Sequence, residues 1–119
     1  MATKAKTPVN QNLKNLKIKA GSCKRLLADL KVYTQEETAQ AAKITKMKAD
    51  NADPYDIKQQ ESVLAESMAM IPDTKNRLNN AHAELLAIIE TCAEDESVTS
   101  TQDWTDAQVI KKTLDEMFA

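Results

Sequence analysis

Apolar residues recur along this chain at helical spacing, in three blocks separated by two polar breaks. In the first block Leu16, Cys23, Leu30, Glu37 and Ile44 stand seven residues apart. Lys19, Leu26, Tyr33, Gln40 and Met47 form the companion row, and Ala20, Leu27 and Ala41 widen the stripe. The pattern as a whole is apolar at both ends and polar at Glu37 and Gln40. This predicts a helix over about residues 12–50. Gly21 lies inside it at a cost of about 1 kcal/mol relative to Ala, either as a tolerated defect or as a point of close packing.

Asn51-Ala52-Asp53-Pro54 then reads as a turn and restart. Asp53 suits an N-cap, and Pro54 suits the first helical position, where its missing N–H costs nothing. Asp56 adds favourable negative charge to the first turn. A second helix is predicted over about 54–93, on the row Ile57, Leu64, Ile71, Leu78, Leu85 and Cys92, reinforced by Met68, Ala81, Ile88 and Ile89. Pro72 interrupts it; an interior proline removes a hydrogen bond and crowds the preceding turn, so a kink is expected near Met68–Pro72. The polar stretch 94–100 reads as a solvated loop. A third helix follows over about 101–117, with the face Trp104, Ala107, Ile110, Leu114 and Met117. The expected fold is all-α: an antiparallel three-helix bundle of two long helices, the middle one proline-kinked, and a shorter third. Residues 1–11 are expected as a flexible tail and 12–119 as a single helical domain.

Lengths and register sharpen this picture. With the first turn centred near residue 52, facing positions have numbers adding to about 104. Cys23 then lies near Ala81 and Cys92 near Asn12, over ~15 Å apart against a Cα limit of ~7 Å for a disulfide. Both cysteines fall on apolar stripes and read as buried, reduced, small side chains. Two helices of ~60 Å cannot be covered along their whole length by a third of ~25 Å. The part of the hairpin spanning Tyr33–Met47 and Ile57–Ile71 is left with two helices, and its stripe becomes a candidate binding surface.

Composition adds exclusions. Aromatics are 3%, which suits helix packing better than a sandwich core, and with glycine occurring once a Gly-rich phosphate loop is ruled out. No apolar run reaches the ~18 residues of a membrane span, and Lys4 and Lys6 precede no apolar stretch, so no secretory signal is expected and the reading is a soluble, cytoplasmic protein without membrane contact. His82 has no second ligand at metal spacing and reads as a flank or surface residue. The serines lack a base partner, so no catalytic residue, metal or cofactor is assigned and the chain reads as a non-enzyme. Residues 1–51 carry a net +7 and residues 52–119 a net −9. That asymmetry fits two helices steering their own pairing better than a basic surface for an acidic partner. Nucleic-acid binding would need stacking aromatics or a groove-fitting motif beside the lysines of the first helix, and neither is present.

The segment Asp53–Asp73 carries Tyr55-Asp56-Ile57-Lys58-Gln59-Gln60 and Met70-Ile71-Pro72-Asp73 at fixed separation. It resembles the central segment of the tubulin-specific chaperone A (tubulin-folding cofactor A) family. Leu16–Lys19, Lys24-Arg25-Leu26, Tyr33 and Lys46–Ala49 extend the resemblance over about 16–90. The chain departs from the family at Met68-Ala69-Met70, where Arg-Met-Met is common, and at Thr74-Lys75, where a Cys-bearing pair is frequent. The resemblance implies a cytoplasmic, cytoskeleton-associated chaperone that holds near-native β-tubulin during αβ-heterodimer assembly, alongside other tubulin-folding cofactors, without nucleotide. Together with the uncovered stripe it makes Tyr55, Asp56, Ile57, Lys58, Gln60, Met70, Ile71, Pro72 and Asp73 the expected contact residues. A second copy could cover the same stripe, giving a homodimer, and the alternative function is a generic coiled-coil adaptor or dimerisation module. Thiol counting in denaturant without reductant should find both cysteines free; an intramolecular disulfide would overturn the register.

Overall fold

The computed structural model describes residues 2–119, with side chains from Gln11 onward. The tail expected over residues 1–11 therefore lies, apart from Gln11, outside the residues whose side chains are described. The described residues form α1 (Ala2–Ala49), α2 (Pro54–Cys92), α3 (Glu96–Thr99) and α4 (Gln102–Met117), with no strand among them. They divide into two compact units, Leu27–Asn76 and the residues up to Leu26 with Arg77–Ala119.

The unit Leu27–Asn76 is a helical hairpin whose turn is chemically specified. Asn51 takes positive φ (56°), as Asn tolerates better than most side chains. The Ala52 N–H donates to the Met47 carbonyl at 2.9 Å and the Asn51 N–H to Lys48 at 3.2 Å. These two bonds make a Schellman C-cap, with Asn where Gly is usual. Asp53 then accepts from the Tyr55 N–H at 2.8 Å, capping α2. The helices pair antiparallel: Gln40 donates through Nε2 to Gln60 Oε1 at 2.6 Å and to the Gln60 carbonyl at 3.2 Å, while Lys48 meets Glu61 at 3.5 Å.

Only Leu30 and Ile44 are buried apolar residues in this hairpin. The rest of the seam on α1, Tyr33, Glu37, Gln40 and Met47, is half-buried. So are Ile57, Gln60, Leu64, Ser67 and Ile71 on α2, and the row ends in the buried Thr74. The sequence pattern identified the apolar row of α2 but not its companion row, which is polar in this half: Gln60, Ser67 and Thr74. Met68, expected on the packed face, is 51% exposed; it sits on the flank. α2 continues helically through the exposed Pro72.

The other unit holds the well-packed core. Leu16, Cys23, Leu78, Leu85, Cys92, Val98, Ala107 and Leu114 are all 0% exposed. Lys19 meets Glu84 at 2.5 Å across α1 and α2, and Lys17 meets Asp103 at 3.5 Å across α1 and α4. Stretch 94–100 is not the solvated loop expected from its polarity: it contains the single-turn α3, capped by Asp95, which carries Val98 into full burial. The Thr101 hydroxyl donates to the Val98 carbonyl at 2.6 Å and accepts from the Trp104 N–H at 3.2 Å, so one side chain closes α3 and caps α4. An apolar residue inside an acidic run was the signal the polarity argument passed over.

His82 is buried, not a flank or surface residue. Its Nε2 lies 2.8 Å from Asp115 Oδ1, and its ring stacks on Phe118 with centroids 5.6 Å apart. Lys111 donates to the other Asp115 oxygen at 2.6 Å. Met117, expected on the packed face of α4, is 44% exposed, and its neighbour Phe118 makes the contact instead. Gly21 also resolves into one of its two readings. It is exposed, and a Cβ built there would meet nothing within 4 Å, so no close packing requires it.

Replacing Gly21 with Ala should therefore raise stability by about 1 kcal/mol in urea unfolding; a loss would show that the open space at Gly21 is needed. The second expectation concerns acid. Lys111, then His82, hold the Asp115 carboxyl below its ordinary pKa. A lowered folded-state pKa adds stability above the unfolded value of ~3.9 that is lost as pH falls through the folded value. Asp115→Asn should thus unfold earlier in urea than the parent at pH ~7, with the two midpoints converging towards pH ~2. A gap that stays constant with pH would mean the carboxylate charge contributes nothing.

Candidate functional site

The hairpin unit owes its surface to geometry. Two helices facing each other cover a narrow pair of rows, so side chains one step off the seam stay in water. On α2 these include Val63 (45% exposed), Met68 (51%) and Met70 (38%), with Tyr55 at the turn (66%) and Val32 on α1 (48%). Residues seven apart share a side, which puts Val63 and Met70 on one flank of the seam. Met68 follows Glu61 by seven and takes the other flank.

The expected contact residues separate into two groups on α2. Tyr55, Asp56, Ile57, Lys58 and Gln60 lie at its start and Met70, Ile71, Pro72 and Asp73 about 20 Å further along. Tyr55, Asp56, Lys58, Met70, Pro72 and Asp73 are exposed. Ile57 and Ile71 are half-buried because they face α1 in the seam. Gln60 is occupied by Gln40. The stripe read from the sequence as uncovered is thus partly covered by α1, and its exposed members sit on the flanks. The Tyr55 hydroxyl accepts from Gln59 Nε2 at 3.1 Å, which steadies the ring over the first turn.

Beside the seam lies a groove of about 490 Å³, lined by Tyr33 and Glu36 of α1 and Glu66, Ser67, Ala69 and Met70 of α2. Among these, the sequence reading named only Met70 as a contact. Val63, one heptad before it and directly preceding Leu64 as Met70 precedes Ile71, was the periodic signal that could have extended the surface. A second groove, of about 420 Å³, belongs to the other unit and runs past Gly21 between Lys17, Lys24, Asp103 and Val109.

The titratable groups offer little reactive chemistry. Burial, then the charge of Glu84, pushes the Cys23 thiol up to about 11. Burial, then Asp95, raises that of Cys92. Thiols shifted this way are poor nucleophiles at neutral pH. Among the described residues no three His, Cys, Asp or Glu side chains converge to hold a metal ion. No described helix is long and apolar enough to cross a membrane. What the hairpin offers is exposed apolar area on a rigid helical frame, the chemistry of protein–protein contact.

Comparison with known proteins identifies the family. The family model described as tubulin binding cofactor A matches residues 11–110. Tubulin-folding cofactor A of Arabidopsis thaliana is 44% identical over 102 residues, covering 86% of this chain and 87% of the relative. Tubulin-specific chaperone A of Bos taurus is 36% identical over 98 residues, covering 82% and 88%. Among solved structures, Arabidopsis thaliana tubulin folding cofactor A superposes with a TM-score of 0.74 at 37% identity, over 89% of this chain and 97% of that one. The human tubulin chaperone cofactor A gives 0.70 at 32%, over 87% and 98%. The chain belongs to the tubulin binding cofactor A family.

Proposed function

We propose that this protein is a tubulin chaperone that binds and holds near-native β-tubulin while αβ heterodimers assemble, by non-catalytic contact in the cytoplasm. Membership of the cofactor A family supports the client. The observation that carries the site is the contrast within α2. In the hairpin Tyr55, Val63, Met68 and Met70 remain exposed, whereas in Arg77–Ala119 the same helix buries Leu78, Leu85 and Cys92 completely. Exposed apolar side chains add little to folding and are free to bind. Flexible thioethers suit a client whose surface has not fully settled.

The finer architecture belongs to the same proposal. α1, α2 and α4 would make an antiparallel three-helix bundle, and Pro72, lacking an N–H, would leave the Met68 carbonyl without its helix partner and kink α2. The site comprises Tyr55, Asp56, Ile57, Lys58, Gln60, Met70, Ile71, Pro72 and Asp73, with Ile57, Gln60 and Ile71 supporting the exposed members from the seam. Other tubulin-folding cofactors and a second copy of the chain are further partners of this reading.

The test compares Tyr55→Ser with Met70→Ser, made together, against Leu85→Ser. The exposed pair should unfold within about 1 kcal/mol of the parent. Leu85→Ser should cost about 3 kcal/mol or more, because it empties a fully buried site and buries a hydroxyl. Purified β-tubulin should be retained about tenfold less by the folded exposed pair, and α-tubulin poorly by every form. Normal β-tubulin retention by that pair would remove the site from the hairpin.

A further inference from the structure

The two flanks of the hairpin seam both carry exposed apolar side chains, Val63 and Met70 on one and Met68 on the other, but they differ in charge. On the Met68 flank, Glu61 is neutralised by Lys48 at 3.5 Å. On the Met70 flank, Glu36 and Glu66 stand exposed at the groove, on opposite helices, with no ion pair or hydrogen bond among the described residues. Between them lie the half-buried ring of Tyr33 and the thioether of Met70. The nearest lysine on that flank of α1, Lys43, is seven residues from Glu36, about 10 Å along the helix. The groove therefore presents an apolar floor between two uncompensated carboxylates.

From this we infer that the Met70 groove receives a segment of the client in which a Lys or Arg adjoins an aliphatic side chain. The inference rests on the reading that the hairpin is the client site and names the chemistry recognised there. An aliphatic group on Met70 and Tyr33 gains by leaving water. A neighbouring guanidinium or ammonium gains charge-assisted bonds from Glu36 and Glu66. An acidic segment would meet two like charges, so the groove also selects against the wrong sign. The Met68 flank also exposes an apolar side chain, but its carboxylate, Glu61, is already engaged by Lys48. Because both carboxylates lie at an exposed rim, their effect falls mainly on association rate and its salt dependence.

The experiment measures association of purified β-tubulin with the immobilised full-length chain at about 50 and about 300 mM salt. Glu36→Gln with Glu66→Gln should slow association about fivefold at the lower salt and approach the parent at the higher. Glu61→Gln, on the other flank, should match the parent throughout. If the Gln pair associates like the parent while the Tyr55→Ser, Met70→Ser pair loses binding, the cationic partner is wrong and the hairpin site stands. If neither pair has an effect, both readings fall. If Glu61→Gln slows association equally, the effect is a general field and the groove has no special role. If the Gln pair slows association while the Ser pair binds normally, attraction is charge alone and the apolar floor is not used.

Discussion

A long helix that carries an apolar row cannot hold that row in water by itself, and within each unit of this protein the segments of α1 and α2 cover one another. Everything else is arranged around that antiparallel pairing. Its register is set at one end by the Asn51 cap and the Asp53 cap, which fix where one helix stops and the next begins. Within the hairpin it is fixed again by the Gln40–Gln60 bond. A polar pair in a seam stabilises less than two leucines would, but it is satisfied only in one alignment, because a slipped register would leave both amides without partners. In the other unit Lys19–Glu84 spans the same two helices in the same sense.

How much of each stripe is buried depends on the number of elements that share it. Where α4 joins, the buried face broadens to include adjacent positions, His82 beside Ala81 and Ile89 beside Ile88. α4 fixes its own end there through Asp115 and Phe118 on His82, and α3 contributes Val98. In the hairpin only two facing rows are available, and the α2 companion row is polar there. A two-helix seam needs no wider apolar stripe, so Val63, Met68 and Met70 are surplus to its folding. Apolar side chains that folding does not use are the ones available to a client.

That division is the physical form that the proposed chaperone action would take. A tightly packed unit supplies stability and keeps its two thiols protonated and out of reach. The hairpin presents a rigid frame with adaptable side chains. The two flanks of that frame are not equivalent, because charge is paired on one and unpaired on the other. In the proposed function, apolar area would supply attraction to an unsettled client surface, and the uncompensated carboxylates beside Met70 would supply discrimination.

The all-α class, the turn chemistry at Asn51–Pro54 and the antiparallel pairing within the hairpin were determined by the sequence itself. The facing pairs that the structure shows have numbers adding to between 100 and 109, around the expected 104. These features are local or periodic: caps act within a turn, and a seven-residue repeat over two helices admits few alignments. The family was legible too, because Asp53–Asp73 combines a capped start with a proline at fixed distance. The tertiary structure alone decided which members of a stripe are covered. Met68 and Met117 scored as packed by spacing yet lie outside, while His82, Val98 and Phe118 lie inside against partners distant in sequence or in a polar run. Gly21 is open rather than close-packed for the same reason: what faces a helix position is set by the neighbouring helix. The Met70 groove likewise depends on Glu36 and Glu66, thirty residues apart, meeting across the seam. Periodicity assigns a residue to a side of its own helix, but burial is a property of two surfaces, and the second surface is chosen only when the chain folds.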